Sequence, residues 1–218
     1  MAEKPAIAVI GGTGALGSGL AKRLARAGYP VVIGSRDPAK ARAAATKLGA
    51  TGAGLAEAAR EAEVVILTVP FASQAETIAA IAPACLGKLF IDATVPLAPP
   101  KVGTVQLPAE GGAAARARKL LDPSVRLVSA FHNVSAAKLQ ADGGIEGDVL
   151  VFGDDAAARE SAIALVEAAG LRGFHGGPLA NSIAAEALTS VLITINRLYK
   201  VDGAGIRIVG KKTDGTAL

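Results

Sequence analysis

The sequence predicts an α/β protein, a doubly wound and mostly parallel sheet with a small C-terminal helical segment, and three observations predict it. Short apolar runs alternate with helical patterns as far as Pro178. Of the 218 residues, 51% are hydrophobic but only 3% aromatic and none is Trp, so the interior must be built from Ala, Val, Ile and Leu, as in strands buried on both faces. A glycine cluster, residues 11–17, lies between the first apolar run and the first helical pattern.

Each element follows from its local pattern. An apolar strand is predicted at 6–10, and a helix at 16–27 is closed by Gly28. Residues 31–34 give a second strand; Asp37 then caps a helix with Pro38 at its first position, and Gly49 ends it. A helix at 55–61, an apolar strand at 64–69 stopped by Pro70, a helix at 72–82 and a strand at 89–93 continue the alternation. Residues 96–114 carry Pro and Gly without a period and are expected to be a long loop into a helix at 115–121. Strands at 126–130, 149–153 and 171–174 and helices at 135–141 and 156–169 complete the sheet, until Gly176-Gly177-Pro178 breaks it. From 181 to 199, apolar residues at Ile183, Ala187, Leu188, Val191, Leu192, Ile195 and Leu198 predict one long helix that must bury its stripe. The expected division is a dinucleotide-binding domain over 1–178 and a helical segment with a solvated tail over 179–218.

Charge and composition exclude several function classes. The net charge of +4 comes from scattered Lys and Arg without interleaved aromatics, which favours an anionic small ligand and no nucleic-acid partner. A single cysteine, Cys85, rules out an internal disulfide, and with only His132 and His175 beside it no metal site or nucleophilic machinery is expected. The chain enters its first strand after five residues, with no signal peptide ahead of it, and the C-terminal apolar stretch, interrupted by Thr189, Ser190, Thr194 and Asn196, reads as too short to span a membrane. A cytoplasmic protein with no membrane partner is expected, and the long apolar stripe predicts a homodimer.

Gly12, Gly14 and Gly17 stand in G-x-G-x-x-G order between strand and helix, with Thr13, Ala15 and Leu16 completing the loop. In a Rossmann unit the first glycine makes the tight turn, the second admits the pyrophosphate and the third lets helix and strand pack closely. A packed turn without a ligand is the alternative. Where an NAD-specific protein carries an acidic residue for the ribose 2′-hydroxyl, this chain has Gly34-Ser35-Arg36. Arg36 can fork onto a 2′-phosphate, Ser35 and Thr13 add hydroxyls, and Lys40 lies one turn further on, so the pattern selects NADP(H).

The chain resembles the coenzyme F420-dependent NADP oxidoreductases, which exchange hydride between NADP and a deazaflavin. The likeness spans nearly all of it and rests on the glycine loop, Gly34-Ser35-Arg36, Leu67-Thr68-Val69-Pro70, Ser129-Ala130-Phe131-His132, Gly153-Asp154-Asp155, and 177–182 with Glu186, Leu188 and Thr189. The resemblance implies that Thr13, Ser35 and Arg36 hold the 2′-phosphate and that Thr68, Val69, Pro70 and Phe71, near Ala93, line the nicotinamide side. It also implies that His132, the candidate catalytic residue, and Asn133 border the deazaflavin pocket beneath the C-terminal helix. Ile183 and Ala187 depart from the family pattern, which has an arginine and a serine there, and leave that wall more apolar.

Hydride transfer between two cofactors needs no protein nucleophile, so stacking, orientation and dryness are what the protein must supply. An FMN- or FAD-linked reductase, or another small-molecule reductase, is the alternative within the enzyme class; a non-enzymatic NADPH-binding sensor or regulatory subunit is the alternative outside it. A hydroxyacid dehydrogenase would need a large helical domain, and the 40 residues after Pro178 are too few.

Overall fold

Strands β1 (Ile7–Ile10) and β4 (Val64–Leu67) are buried along their whole length, which is why both read as unbroken apolar runs. They lie side by side at the centre of an eight-stranded sheet in a computed structural model that describes residues 3–214, 216 and 218. From β1 the sheet runs outward through β2 (Val31–Ser35) to β3 (Thr51–Gly54). From β4 it runs the other way through β5 (Leu89–Asp92), β6 (Arg126–Ser129), β7 (Asp148–Phe152) and β8 (Arg172–Gly177). Pairing is parallel throughout except at β6 and β7, which meet antiparallel through Ser129 and Phe152. The strand order therefore reverses beside β1, and a crevice opens over the carboxyl ends of β1 and β4.

Helices cover both faces. On one, α1 (Ala15–Arg26), α2 (Pro38–Thr46) and α7 (Ala156–Ala168) contribute Leu20, Leu24, Ala41, Ala45, Ala162 and Leu165 to the core. On the other, α3 (Leu55–Glu61), α4 (Phe71–Ile81) and α5 (Ala113–Leu120) contribute Ala58, Ala59, Ile78, Ile81, Ala114 and Ala117. Alanines carry much of the contact, so helices approach the sheet closely and few aromatics fit. The short α6 (Ala136–Gln140) completes the first face by burying Leu139.

One strand was not expected, and two expectations need correction. Residues 51–54 form β3, although Thr-Gly-Ala-Gly does not read as a strand. The reason is packing: a Cβ on Gly52 would lie 2.4 Å from the Ala41 carbonyl carbon, so α2 rests directly on the β3 backbone. Gly176 and Gly177 extend β8 instead of breaking it; a Cβ at Gly176 would fall 2.2 Å from the Phe152 ring. The C-terminal apolar stretch is also not too short. Its helical run Leu179–Tyr199, which includes α8 (Ser182–Tyr199), has 21 residues and a mean hydropathy of 1.3, long and apolar enough by those measures to cross a membrane. Its polar residues do not interrupt it: the Thr189 and Thr194 hydroxyls lie 3.3 and 3.1 Å from the carbonyls of Ala185 and Ser190, one turn earlier in the same helix.

The segment after α8 is fastened to the sheet. Buried Asp148 accepts two bonds from Arg172 at 2.7 Å and one from the Ile208 N–H, while Arg172 also donates to the carbonyls of Ile208 and Leu218. Burial pushes the Asp148 carboxyl up, but Arg172 and the Ile208 amide outweigh it and hold it below the usual carboxylate range. A depressed carboxylate stabilises the fold above its unfolded pKa, and that contribution is lost as pH falls through the folded value. Asp148→Ala is expected to cost about 2–3 kcal/mol at neutral pH, below the value for a fully buried pair because Arg172 is 42% exposed. Urea unfolding measures the loss, and limited proteolysis should cut the variant first after α8.

Candidate dinucleotide cleft and the network behind it

The loop from β1 to α1 is built by glycines for distinct reasons. Gly11 takes the left-handed φ of +84°, so the turn expected at Gly12 is made one residue earlier. Gly12 is needed for space, since a Cβ would sit 2.8 Å from the Val9 carbonyl oxygen. At Gly17 a Cβ would meet the Thr68 hydroxyl at 2.5 Å and the Gly11 carbonyl at 2.6 Å, so α1 starts in contact with the end of β4. Gly14 is the N-cap and has no side chain to bond the first-turn amides. Those donors and the positive end of the helix dipole face the crevice, an arrangement suited to phosphate.

A cleft of about 230 Å³ lies there, walled by Gly11, Thr13, Gly14, Ser35, Arg36, Leu55, Thr68, Val69, Pro70, Ser73 and Thr77. Seven sequence-predicted positions, Thr13, Gly14, Ser35, Arg36, Thr68, Val69 and Pro70, thus share one wall. Thr68 is held by its hydroxyl and its N–H, which both donate to the Ile10 carbonyl. Ser35 accepts from the Asp37 N–H, and Asp37 caps α2 through the amides of Ala39 and Lys40. Arg36 is exposed and has no ion-pair partner among the described residues.

Other expected residues fall elsewhere. Lys40 is outside the wall, with its ammonium 3.9 Å from Asp37. Gly12 and Gly17 lie beneath the loop, and Ala15 and Leu16 form the first turn of α1. Ala93 is buried and donates its N–H to Leu67. Phe71 starts α4 under the Arg116 guanidinium, 3.6 Å from its ring centre. Leu55, Ser73 and Thr77 are cleft residues that the sequence reading missed. Ser73 and Thr77 sit one turn apart on α4 just after Pro70, a spacing that could have revealed them; Leu55 is expected in the sequence only as the start of a helix, and nothing local marks it as a cleft residue.

His132 and Asn133 belong to a separate cavity of about 160 Å³, shared with Val134, Ser135, Thr189, Leu192, Ile193, Asn196, Gly203 and Ala204. His132 is buried, its Nε2 is 2.8 Å from the Ser129 hydroxyl, and desolvation lowers its pKa to about 4, so the imidazole is neutral at physiological pH. Asn133 donates to the Ala185 carbonyl and to Thr189, and Thr189 donates to the His132 carbonyl, which ties the end of β6 to α8. Ile183 faces neither cavity; it lines an apolar groove of about 430 Å³ between α5 and α8. His175 is on the surface, 3.1 Å from Glu160. No group of three or more potential metal ligands occurs among the described residues.

Two buried carboxylates lie behind the cleft. Asp92, at the end of β5, accepts from the Thr94 N–H at 2.9 Å and from the Gln74 amide at 2.5 Å, and burial raises its pKa to about 6 against those bonds. Glu186, on α8, caps α5 by accepting from the N–H groups of Ala113 and Ala114 and from the Ser182 hydroxyl; burial outweighs these and raises its pKa.

The reversal of strand order, the glycine loop and Arg36 at the end of β2 together define a Rossmann-type NADP-binding protein. A family model described as NADP oxidoreductase, coenzyme F420-dependent, matches residues 6–96. An F420-dependent NADP reductase from Methanothermobacter marburgensis is 44% identical over 93% of this chain and 97% of its own length. A second reductase of that name, from Methanocaldococcus jannaschii, is 38% identical over 93% and 97%. Among solved structures, a hypothetical protein from Sinorhizobium meliloti superimposes with a TM-score of 0.68 at 27% identity, covering 84% of this chain and 88% of its own. The chain belongs to the coenzyme F420-dependent NADP oxidoreductase family.

Proposed function

We propose that the protein transfers hydride between NADP(H), held in the cleft over β1 and β4, and the deazaflavin coenzyme F420. The observation that carries the nucleotide half is Arg36, a guanidinium with no ion-pair partner among the described residues, on the same wall as the hydroxyls of Thr13 and Ser35. Family membership and the relatives' names support the deazaflavin half. The residues present suit a dinucleotide: Gly14 leaves the α1 amides uncapped, Gly17 leaves no Cβ above Thr68, and Thr68 to Pro70 face the same space.

When bound, the two cofactors supply the electron chemistry. The protein's part is to bind, orient and exclude water. In this reading Arg36, Ser35 and Thr13 hold the 2′-phosphate, the α1 amides hold the pyrophosphate, and Val69 and Pro70 border the nicotinamide. His132, neutral and fixed by Ser129, stands on the acceptor side with Asn133. His132→Ala is expected to raise the KM for F420 about tenfold while NADPH affinity stays within about twofold, which initial-rate kinetics and calorimetry measure. Equal loss of NADPH affinity would remove His132 from the acceptor side.

We read residues 1–178 as the nucleotide-binding unit and 179–218 as a helical segment that closes it. The apolar residues still exposed at its end, Val191, Leu198, Tyr199 and Val201, support a homodimer. Light scattering should give twice 21.6 kDa, and a monomer mass would refute it. We read the protein as cytoplasmic with no membrane partner; that α8 packs inside the protein and does not cross a membrane is supported by Glu186, whose buried carboxylate caps α5.

A further inference from the structure

Gln74 and Asp92 are both fully buried, and every polar atom of the Gln74 side chain is engaged. Its amide nitrogen donates to Asp92 and to the Ala113 carbonyl at 3.0 Å, and its oxygen accepts from Arg116 Nε at 2.7 Å. Arg116 then reaches forward: it lies over the Phe71 ring and donates to the Phe71 carbonyl at 2.5 Å. Phe71 is the first residue of α4, whose N-cap is Pro70 and has no capping side chain. Pro70 and Ser73 from this same turn, and Thr77 one turn further along α4, face the cleft. A helix start without its own cap, held from behind by one guanidinium that is itself fixed by a buried amide and carboxylate, has its position set by that guanidinium. Planarity matters, since only an Arg can stack on the ring and bond both oxygens at once.

We propose that Arg116 is a positioning residue for the nicotinamide side of the cleft, acting through Phe71 and the first turn of α4. The proposal rests on the reading of the cleft as an NADP(H) site, and extends it by naming a residue outside the cleft wall that sets the geometry of one end only. The α1 and β2 end, where the 2′-phosphate is read, makes no contact with this relay in the hydrogen bonds of Arg116 and Gln74. The two ends should therefore respond differently.

The test is calorimetric binding of NADPH and of 2′,5′-ADP, which carries the 2′-phosphate but no nicotinamide, to wild type, Arg116→Ala, Arg116→Lys, Phe71→Leu and the double variant Arg116→Ala/Phe71→Leu. The expected result is that Arg116→Ala weakens NADPH about five- to tenfold, the scale of one lost charge-assisted bond, while 2′,5′-ADP stays within about twofold. Arg116→Lys should not rescue, and the double variant should bind no more weakly than the weaker single one, because both changes act on one contact. Equal weakening of both ligands, an unchanged NADPH affinity, or additive losses in the double variant would each overturn the positioning role. Failure of the wild type to bind either ligand would overturn the cleft reading itself, and this proposal with it. Phe71→Leu keeps the assay informative if Arg116→Ala does not fold, since Phe71 is only partly buried and its loss should produce the same split between ligands.

Discussion

Arg36→Ala is expected to weaken NADPH binding about 50-fold and to leave NADH within about twofold, because a guanidinium bonded to a phosphate contributes roughly 2–3 kcal/mol that a ribose hydroxyl cannot use. The position makes the prediction sharp. Arg36 follows the last residue of β2, lines the cleft, and pairs with no carboxylate among the described residues: Asp37, its neighbour, is committed to the amides of Ala39 and Lys40. Lys40 should contribute little, since its ammonium lies outside the wall near Asp37. Calorimetry with both nucleotides measures the ratio. An unchanged preference for NADPH over NADH would take Arg36 out of the site and leave Thr13 and Ser35 to account for it.

Gly17→Ala should damage both folding and binding. The added methyl would meet the Thr68 hydroxyl, the Gly11 carbonyl and the Gly12 Cα, all within 2.8 Å, and two of these three are backbone atoms that cannot rotate away. Overpacking of this kind costs about 1–3 kcal/mol, equivalent to a fall in Tm of about 3–10 °C for a domain of this size. Because the strain falls between α1 and the end of β4, the loop must shift, and NADPH affinity should drop at least tenfold even where the variant is fully folded. Gly14→Ala offers a control: its Cβ would meet only the Gly11 carbonyl, at 3.2 Å, so the loss of stability should be smaller.

How much of this was legible in the sequence depended on what kind of force set each feature. Strands buried on both faces announced themselves as apolar runs, and Asp37, Pro38 and the glycine loop carried their own local chemistry, so the central sheet and the phosphate end of the cleft followed directly. β3 did not, because Gly52 serves the close approach of α2, a tertiary demand that leaves no apolar signature in Thr-Gly-Ala-Gly. The relay of Asp92, Gln74 and Arg116 joins β5, α4 and α5 across long separations in sequence, and nothing local marks Gln74 as a buried hub. The acceptor side was the least legible: His132 with Asn133 and Ile183, expected around one pocket, line two separate cavities.

The most direct test of the account is to supply NADPH deuterated at both C4 positions together with F420, and to read the reduced deazaflavin by mass spectrometry, with FMN, FAD and no acceptor in parallel. The account predicts rapid turnover with F420 and one deuterium carried into the reduced deazaflavin, with little reaction in the other arms. Turnover confined to the flavins, or none in any arm, would contradict F420 as the acceptor, and reduced deazaflavin without the label would contradict direct hydride transfer.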